Sequence, residues 1–191
     1  MWSVRMMFCA FMLCTLFIVE NIGHVHAESV PDTIQPSGSE HIMYDTFQRI
    51  SHDISSLPKE MRQEAIINGD LCKTFTYGVN GRTYAGTWQF TFSQHVGWCY
   101  NGWQVTYHSV WHTYSTSLGW SYQGISSQSN APGPNQSFWQ DTATAKFSYC
   151  AGPVGCLFDR YPWVNTVVRG DGSYGGSGGG GDGIPLSLGS Q

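Results

Sequence analysis

The sequence predicts a mainly β protein: an antiparallel β-sandwich or barrel of about seven strands, preceded by a short helical segment. Three observations point there. Residues 83–96 (TYAGTWQFTFSQHV) alternate between a face with Tyr84, Trp88, Phe90, Phe92, Gln94 and Val96 and a face with Thr83, Thr87, Gln89, Thr91, Ser93 and His95. That is the period of two that a pleated strand imposes. Asn80-Gly81, Asn101-Gly102 and Asp171-Gly172 are pairs that tolerate positive φ and mark hairpin turns. Cys72, Cys99, Cys150 and Cys156 form the even set of half-cystines expected of an exported, disulfide-stapled domain.

Composition narrows the class. The chain has 191 residues, 41% hydrophobic, 15% aromatic and only 12% charged, with a net charge of −4. Such a chain is neither a disordered charged tail nor a coiled coil. It lacks the basic excess that nucleic acid or an anionic membrane would require.

The elements follow in order. Met6–Val19 (MMFCAFMLCTLFIV) is an apolar run preceded by Arg5 and followed by Val25-His26-Ala27. It is shorter than the ~20 residues that span a bilayer and reads as a signal peptide, residues 1–27, cleaved after Ala27. The mature chain is then expected outside the cytoplasm with no transmembrane segment. Residues 28–69 read as an acidic leader and an amphipathic helical segment, a possible pro-segment. Phe47, Ile50, Ile54, Leu57, Met61 and Ala65 recur at helical spacing. Pro58 should divide the stripe into two short helices, the second ending at Asn68-Gly69.

Residues 70–174 read as the disulfide-stapled β domain. Phe75–Val79 should pair with Arg82–Phe90 across Asn80-Gly81, and Trp98–Tyr100 with Trp103–Tyr107 across Asn101-Gly102. Further strands are expected at 103–114, 118–125, 139–150 and 163–169. In 139–150, Trp139, Ala143, Ala145, Phe147 and Tyr149 share a face. Four cysteines allow three pairings. Cys72–Cys99 and Cys150–Cys156 are favoured, because each joins neighbouring strands or the ends of one short loop. Ser126–Ser137 reads as a surface crossover in which Asn135 is a glycosylation acceptor if the source is eukaryotic. Residues 175–191 read as a Gly-rich flexible tail.

Motifs that spell chemistry have structural causes instead. Gly170, Gly172 and Gly175 fit G-x-G-x-x-G, and Gly175, Ser177 and Gly179 fit G-x-S-x-G, yet neither precedes the helix its mechanism needs. Arg169-Gly170-Asp171 spells an adhesive tripeptide at an expected turn. His108 and His112 would lie about 13 Å apart on a strand, too far for one ion, so no metal site and no cofactor are expected. Asp141, Asp159 and Asp171 are the only carboxylates with which a hydrolase could work beyond Asp70, and no residue stands out as catalytic.

The remaining signal is the aromatic surplus. A domain of this size cannot easily bury seven Trp, and indoles left beside amides and hydroxyls suit sugar rings. The best such surface is a stripe of Gln104, Thr106, His108, His112 and Tyr114, beside Gln89 and His95 on a neighbouring strand. These residues are the ligand-binding candidates.

WCYNGWQVT, GWSYQG, KFSYCAGPVGC and YPWVNTVVRGDGSY resemble a loose group of exported Cys/Trp-rich β proteins of Gram-positive bacteria, especially actinobacteria, over residues 70–174. The group has no assigned activity, so the resemblance implies an exported β domain and supplies no site residue. The expected function is a secreted, non-enzymatic recognition protein that binds an extracellular protein or carbohydrate. A secreted toxin or antimicrobial protein acting on membranes and an extracellular hydrolase are the alternatives.

Overall fold

The computed structural model describes residues 41–55 and 57–181. The signal peptide, the leader as far as residue 40 and the tail from residue 182 lie outside the described residues.

Among the described residues, eight strands form two antiparallel four-stranded sheets, one more strand than the sequence predicts. The first sheet runs β1 (Met43–Ser51), β2 (Leu71–Arg82), β3 (Trp88–Tyr100) and β4 (Val105–Thr116). The second runs β5 (Trp120–Pro132), β6 (Phe138–Cys150), β7 (Cys156–Arg169) and β8 (Tyr174–Gly181). Each is a meander in chain order. No ladder joins β4 to β5 or β8 to β1, so the described residues form no closed barrel. The chain changes sheet at Ser117–Gly119. There the Ser117 amide donates to Gln89 O at 2.7 Å and the Cys150 amide donates to Gly119 O at 2.7 Å.

β1 lies over β8, β2 over β7 and β8, β3 over β7, and β4 over β5 and β6. The shared core follows from the alternation. Phe90, Phe92, Val96 and Trp98 of β3 are fully buried, as are Ala143, Ala145 and Phe147 of β6 and Val164 and Val168 of β7. Phe90 stacks on Phe147 with centroids 4.5 Å apart. Burying each large side chain of this set contributes about 1.5–3 kcal/mol.

The outer face of the first sheet has its own cover. After β1 the chain forms α1 (Lys59–Asn68), whose Met61 and Ala65, with Leu57 before it, pack on Cys99 and against Cys72, Tyr107 and Trp111. Gly69 ends the helix with φ 73°, its amide bonded to Ala65 O. The two disulfides are Cys72–Cys99 and Cys150–Cys156. In both, the half-cystines are register partners on adjacent strands.

Four expectations are corrected. Residues 43–51 are a strand, not the first of two helices, so the one α-helix among the described residues follows β1. Tyr44 and Ile50 face inward opposite Gly81 and Phe75, while Phe47 lies on the outer face against Gly78. Apolar residues on both faces of a strand thus imitated helical spacing. Asn80-Gly81 lies within β2, paired with Thr91 and Phe90, because the Phe90 ring occupies the space a Cβ at Gly81 would need. The turn falls at Thr83–Thr87 instead, where the Thr87 O accepts from the Thr83 amide at 2.9 Å. Residues 126–132 continue β5, paired with 139–144 of β6. Residues 175–181, expected as flexible tail, are most of β8, paired with β7 from Tyr161 to Val168. Gly176, Gly178 and Gly180 face Tyr77, Val79 and Tyr44 so closely that no larger residue fits.

Candidate functional site

The predicted polar stripe is not one surface. A bulge at Cys99/Tyr100 pairs Tyr100 with Val105 and Cys99 with Tyr107, leaving Thr106 as the extra residue. Beyond it, β4 pairs His112 with Gln94 and Trp111 with His95. His108, His112 and Tyr114 therefore face the second sheet. His95 faces the opposite way, held between Thr76 Oγ1 (2.9 Å to Nδ1) and Thr113 Oγ1 (2.8 Å to Nε2) and stacked on Trp111. Gln104 is exposed in the β3–β4 turn, its amide donating to Asn101 Oδ1 at 3.0 Å. Gln89 fastens the sheet-to-sheet crossing: its Oε1 accepts from Trp120 Nε1 at 2.8 Å.

The inward-facing pair builds a polar layer between the sheets. Gln94, fully buried, donates from Nε2 to Asp141 O at 3.1 Å and to Thr166 Oγ1 at 2.6 Å. Its Oε1 is left to accept from His112 Nε2, 3.1 Å away. His108 Nε2 meets Asp141 Oδ2 at 2.6 Å, and the other carboxylate oxygen, Oδ1, is buried with no hydrogen-bond partner among the described residues. Trp139 stacks on His108 with centroids 4.6 Å apart, and Phe92 stacks on His112 at 5.5 Å. Tyr114 stacks on Tyr122 of β5 at 3.9 Å where β4 and β5 meet.

Burial lowers the His112 pKa below the ordinary imidazole value, and nearby His95 adds to this while the Asp141 carboxylate opposes it. Burial likewise lowers His95. Gln94 and Thr166 were not among the candidates read from sequence, and Asp141 figured there only as a carboxylate open to a hydrolase, although a signal existed. Asp141 is in phase with Trp139, Ala143 and Ala145, and Gln94 with Phe92 and Val96. A polar residue on the apolar face of a strand needs a buried partner: Gln94 finds the Asp141 main-chain oxygen and Thr166 across the sheets, and the Asp141 carboxylate finds His108.

The rest of the sequence chemistry is dispersed. Asp141 faces inward. Asp159, register partner of Ser148, pairs with Lys146 at 2.8 Å on the outer face, and Asp171 accepts the Ser173 amide in the β7–β8 turn. Among the described residues, no group of three or more His, Cys, Asp or Glu converges as a metal ion would require. Gly170 of the Arg-Gly-Asp tripeptide is buried against the backbone of Trp103 and Gln104, so its Gly and its Asp both have a cause in the turn. The Gly-Ser-Gly hit lies in β8, and Asn135 is exposed in a short 3-10 turn with φ 50°.

What the surface does concentrate is apolar residues at the ends of the strands. Antiparallel alternation puts the β2–β3, β4–β5 and β6–β7 turns at one end, and each carries an exposed apolar residue: Tyr84, Leu118 and Val154. At the other end stand Ile66 and Ile67 of α1, Leu71 at the start of β2, and Trp103 in the β3–β4 turn. Trp103 is 83% exposed, whereas Trp98 and Trp120 are buried and the remaining described Trp are partly buried. The exposed indoles therefore form no contiguous platform. The Trp103 turn is braced: Asn101 Oδ1 accepts from the Trp103 and Gln104 amides, the Gly102 amide donates to Gly170 O at 2.9 Å, and the Gly170 amide donates to Ser137 O at 2.8 Å. All three turns at that end are thus tied together. No protein-family model, curated protein or solved structure matches the chain.

Proposed function

We propose that the chain is a secreted, non-enzymatic recognition protein of sandwich form that engages a protein partner at the Trp103 end of its strands. The observation that carries this reading is Trp103 itself. A large indole is held in solvent by a turn cross-bonded to two others, at the strand end that also carries Ile66, Ile67 and Leu71. Rigid, exposed aromatic residues amid apolar neighbours are what protein hot spots are made of. Two disulfides support export, in keeping with the resemblance to exported Gram-positive proteins. The dispersal of Asp141, Asp159 and Asp171 over two faces and a turn supports the non-enzymatic reading.

A glycan reading has one specific observation behind it. Trp163 lies on the outer face of β7 beside Gly179, whose missing side chain leaves room near the indole, and Asn165 with Gln140 and Thr142 forms an amide–hydroxyl cluster on the same face.

The test is retention of the purified protein on intact cells of the producing organism, before and after protease stripping of the cell surface. Retention that disappears on stripping and in Trp103→Ala, but survives in Trp163→Ala, is the expected result. Retention that survives stripping and disappears only in Trp163→Ala would transfer the function to glycan binding.

A further inference from the structure

The two disulfides lie in opposite surroundings. Cys99 is 1% exposed and Cys72 is half-buried, and both pack with Leu57, Met61 and Ala65 of the segment that ends in α1. β4 flanks Cys99 on the side away from Cys72, with Tyr107 as register partner. Cys156 is exposed and Cys150 half-buried, and every residue from Gly152 to Leu157 is exposed. β8 pairs with β7 only from Tyr161 onward, so among the described residues no strand flanks Cys156 on the side away from Cys150. Thiol–disulfide exchange depends on access: a thiolate attacks one sulfur from the side opposite the other. Cys156 has that room, whereas Cys99 has β4 beside it and α1 packed against it.

We propose that Cys150–Cys156 is a reversible thiol-exchange site whose substrate is an external dithiol, while Cys72–Cys99 stays inert as long as α1 is docked. The proposal is independent of the Trp103 reading. One thiolate of the dithiol attacks Cys156 Sγ. The S–S bond breaks and its electron pair leaves on Cys150 Sγ. The second thiolate then attacks the mixed disulfide, which closes the reagent into its own disulfide and releases Cys156. The cysteine pair gains two electrons, the dithiol loses two, and the two protons the dithiol gives up to water end on Cys150 and Cys156. The fold keeps this exchange local. The hairpin turn is closed without the bridge, by the Ala151 amide donating to Gly155 O at 3.0 Å and the Gly155 amide to Gly152 O at 3.3 Å. Next to it Tyr149 pairs with Phe158 and stacks on it at 5.1 Å, and Trp120 packs on both rings. The half-cystines of this bridge are 6 residues apart against 27 for Cys72–Cys99, so its loss relaxes the unfolded chain less and costs less stability. Reduced Cys150 and Cys156 therefore stay register partners. A monothiol left on Cys156 is expelled by the neighbouring Cys150, which is why the site takes a dithiol.

Timed alkylation tests this. The whole purified chain is treated with dithiothreitol without denaturant and quenched at intervals with iodoacetamide, and peptide mass mapping assigns each labelled cysteine. Cys150 and Cys156 should be labelled at least about tenfold faster than Cys72 and Cys99, with the near-UV circular dichroism retained. Oxidised glutathione, added after the dithiothreitol is removed, should restore the bridge and leave no lasting adduct. Met61→Ala, which thins the cover on Cys99, should speed labelling of Cys72 and Cys99 and leave the Cys150–Cys156 rate as it was. Replacing both cysteines, Cys150→Ser with Cys156→Ser, should leave the near-UV spectrum in place and abolish the fast phase. Labelling of all four cysteines at one rate, or of Cys72 and Cys99 first, overturns the proposal. So does a near-UV signal that disappears in step with labelling of Cys150 and Cys156, since the exchange then needs global unfolding. A lasting glutathione adduct on Cys156 overturns the preference for a dithiol, and an unchanged Cys72–Cys99 rate in Met61→Ala overturns the shielding by α1. A fast phase that persists in the double serine variant overturns the site itself.

Discussion

Where β1 lies over β8, one of the two facing strands is almost bare backbone. Tyr77 and Val79 of β2 and Tyr44 of β1 press onto Gly176, Gly178 and Gly180, and Tyr174 packs on Phe75 with centroids 4.8 Å apart. At the opposite margin, where β4 lies over β5 and β6, side chains from both sheets meet halfway. There His108 bonds Asp141, and Gln94 bonds Asp141 O and Thr166, across the gap, with His112 held on Gln94 within the first sheet. The first margin is closed by shape: large side chains from one sheet against a nearly bare backbone on the other. The second is closed by hydrogen bonds whose geometry must hold in a medium of low dielectric. A sheet pair can thus be sealed with a minimum of chemistry on one side and a maximum on the other. The two sides should fail under different insults.

The polar margin should show the larger single loss. Asp141→Ala leaves His108 Nε2 without its partner in the interior and is expected to cost about 3–5 kcal/mol, read from denaturant unfolding. Asp141→Asn, which keeps the shape and an acceptor, should cost less. A loss below about 1 kcal/mol for the alanine variant is what a surface ion pair gives, and would erase the contrast between the margins. At the shape-closed margin, Gly176→Val inserts a side chain where the Tyr77 ring lies and should cost about 1–3 kcal/mol. Adding Tyr77→Ala should recover part of it. Strictly additive losses would mean that ring and glycine do not share the space.

The smallest effect expected is the dependence on acid. The folded state lowers the pKa of His112 and His95 below the ordinary value of 6.5. As pH falls through 6.5, the unfolded chain takes up protons first. The stability tied to these histidines is therefore whole above that pH and is lost as pH falls toward their folded values. Unfolding midpoints measured from pH 7.5 to 5 should decline, and His112→Gln should flatten the decline. An unchanged slope in that variant would remove His112 from the acid response.

How much of this was legible depended on whether a residue's neighbours lay close in sequence. Period-two alternation in 83–96 and 139–150 exposed the β core, and Cys72 faces Cys99 because the strands carrying them are consecutive. The β1 strand was hidden because Phe47 and Ile50 lie on opposite faces and so mimicked a helix. Asn80-Gly81 spelled a turn, but the Phe90 ring, nine residues beyond Gly81, needed that glycine as open backbone. β8 was illegible by propensity, since glycine is among the poorest strand formers and the rings that favour it come from β1 and β2. The candidate stripe failed on register: one bulged residue, Thr106, decides which of His95 and Gln94 shares a face with His112. Asp141 and Gln94 were readable in principle, as polar letters in apolar phase, but the partners that explain them, His108 for Asp141 and Thr166 for Gln94, lie on strands far away in sequence.

The composition of β8 has a further consequence. In an ordinary strand, a slip changes which side chains meet the core, and so is punished at once. Along Gly178–Gly181 one position is chemically the same as the next, and the run's alignment is fixed from outside, by the Asp171-Gly172 hairpin and by Tyr174 at its head. Gain or loss of a glycine there alters the length of the sheet's border without altering any residue that touches its interior. This border is therefore the part of the molecule best able to lengthen or shorten between generations while the remainder stays as it is.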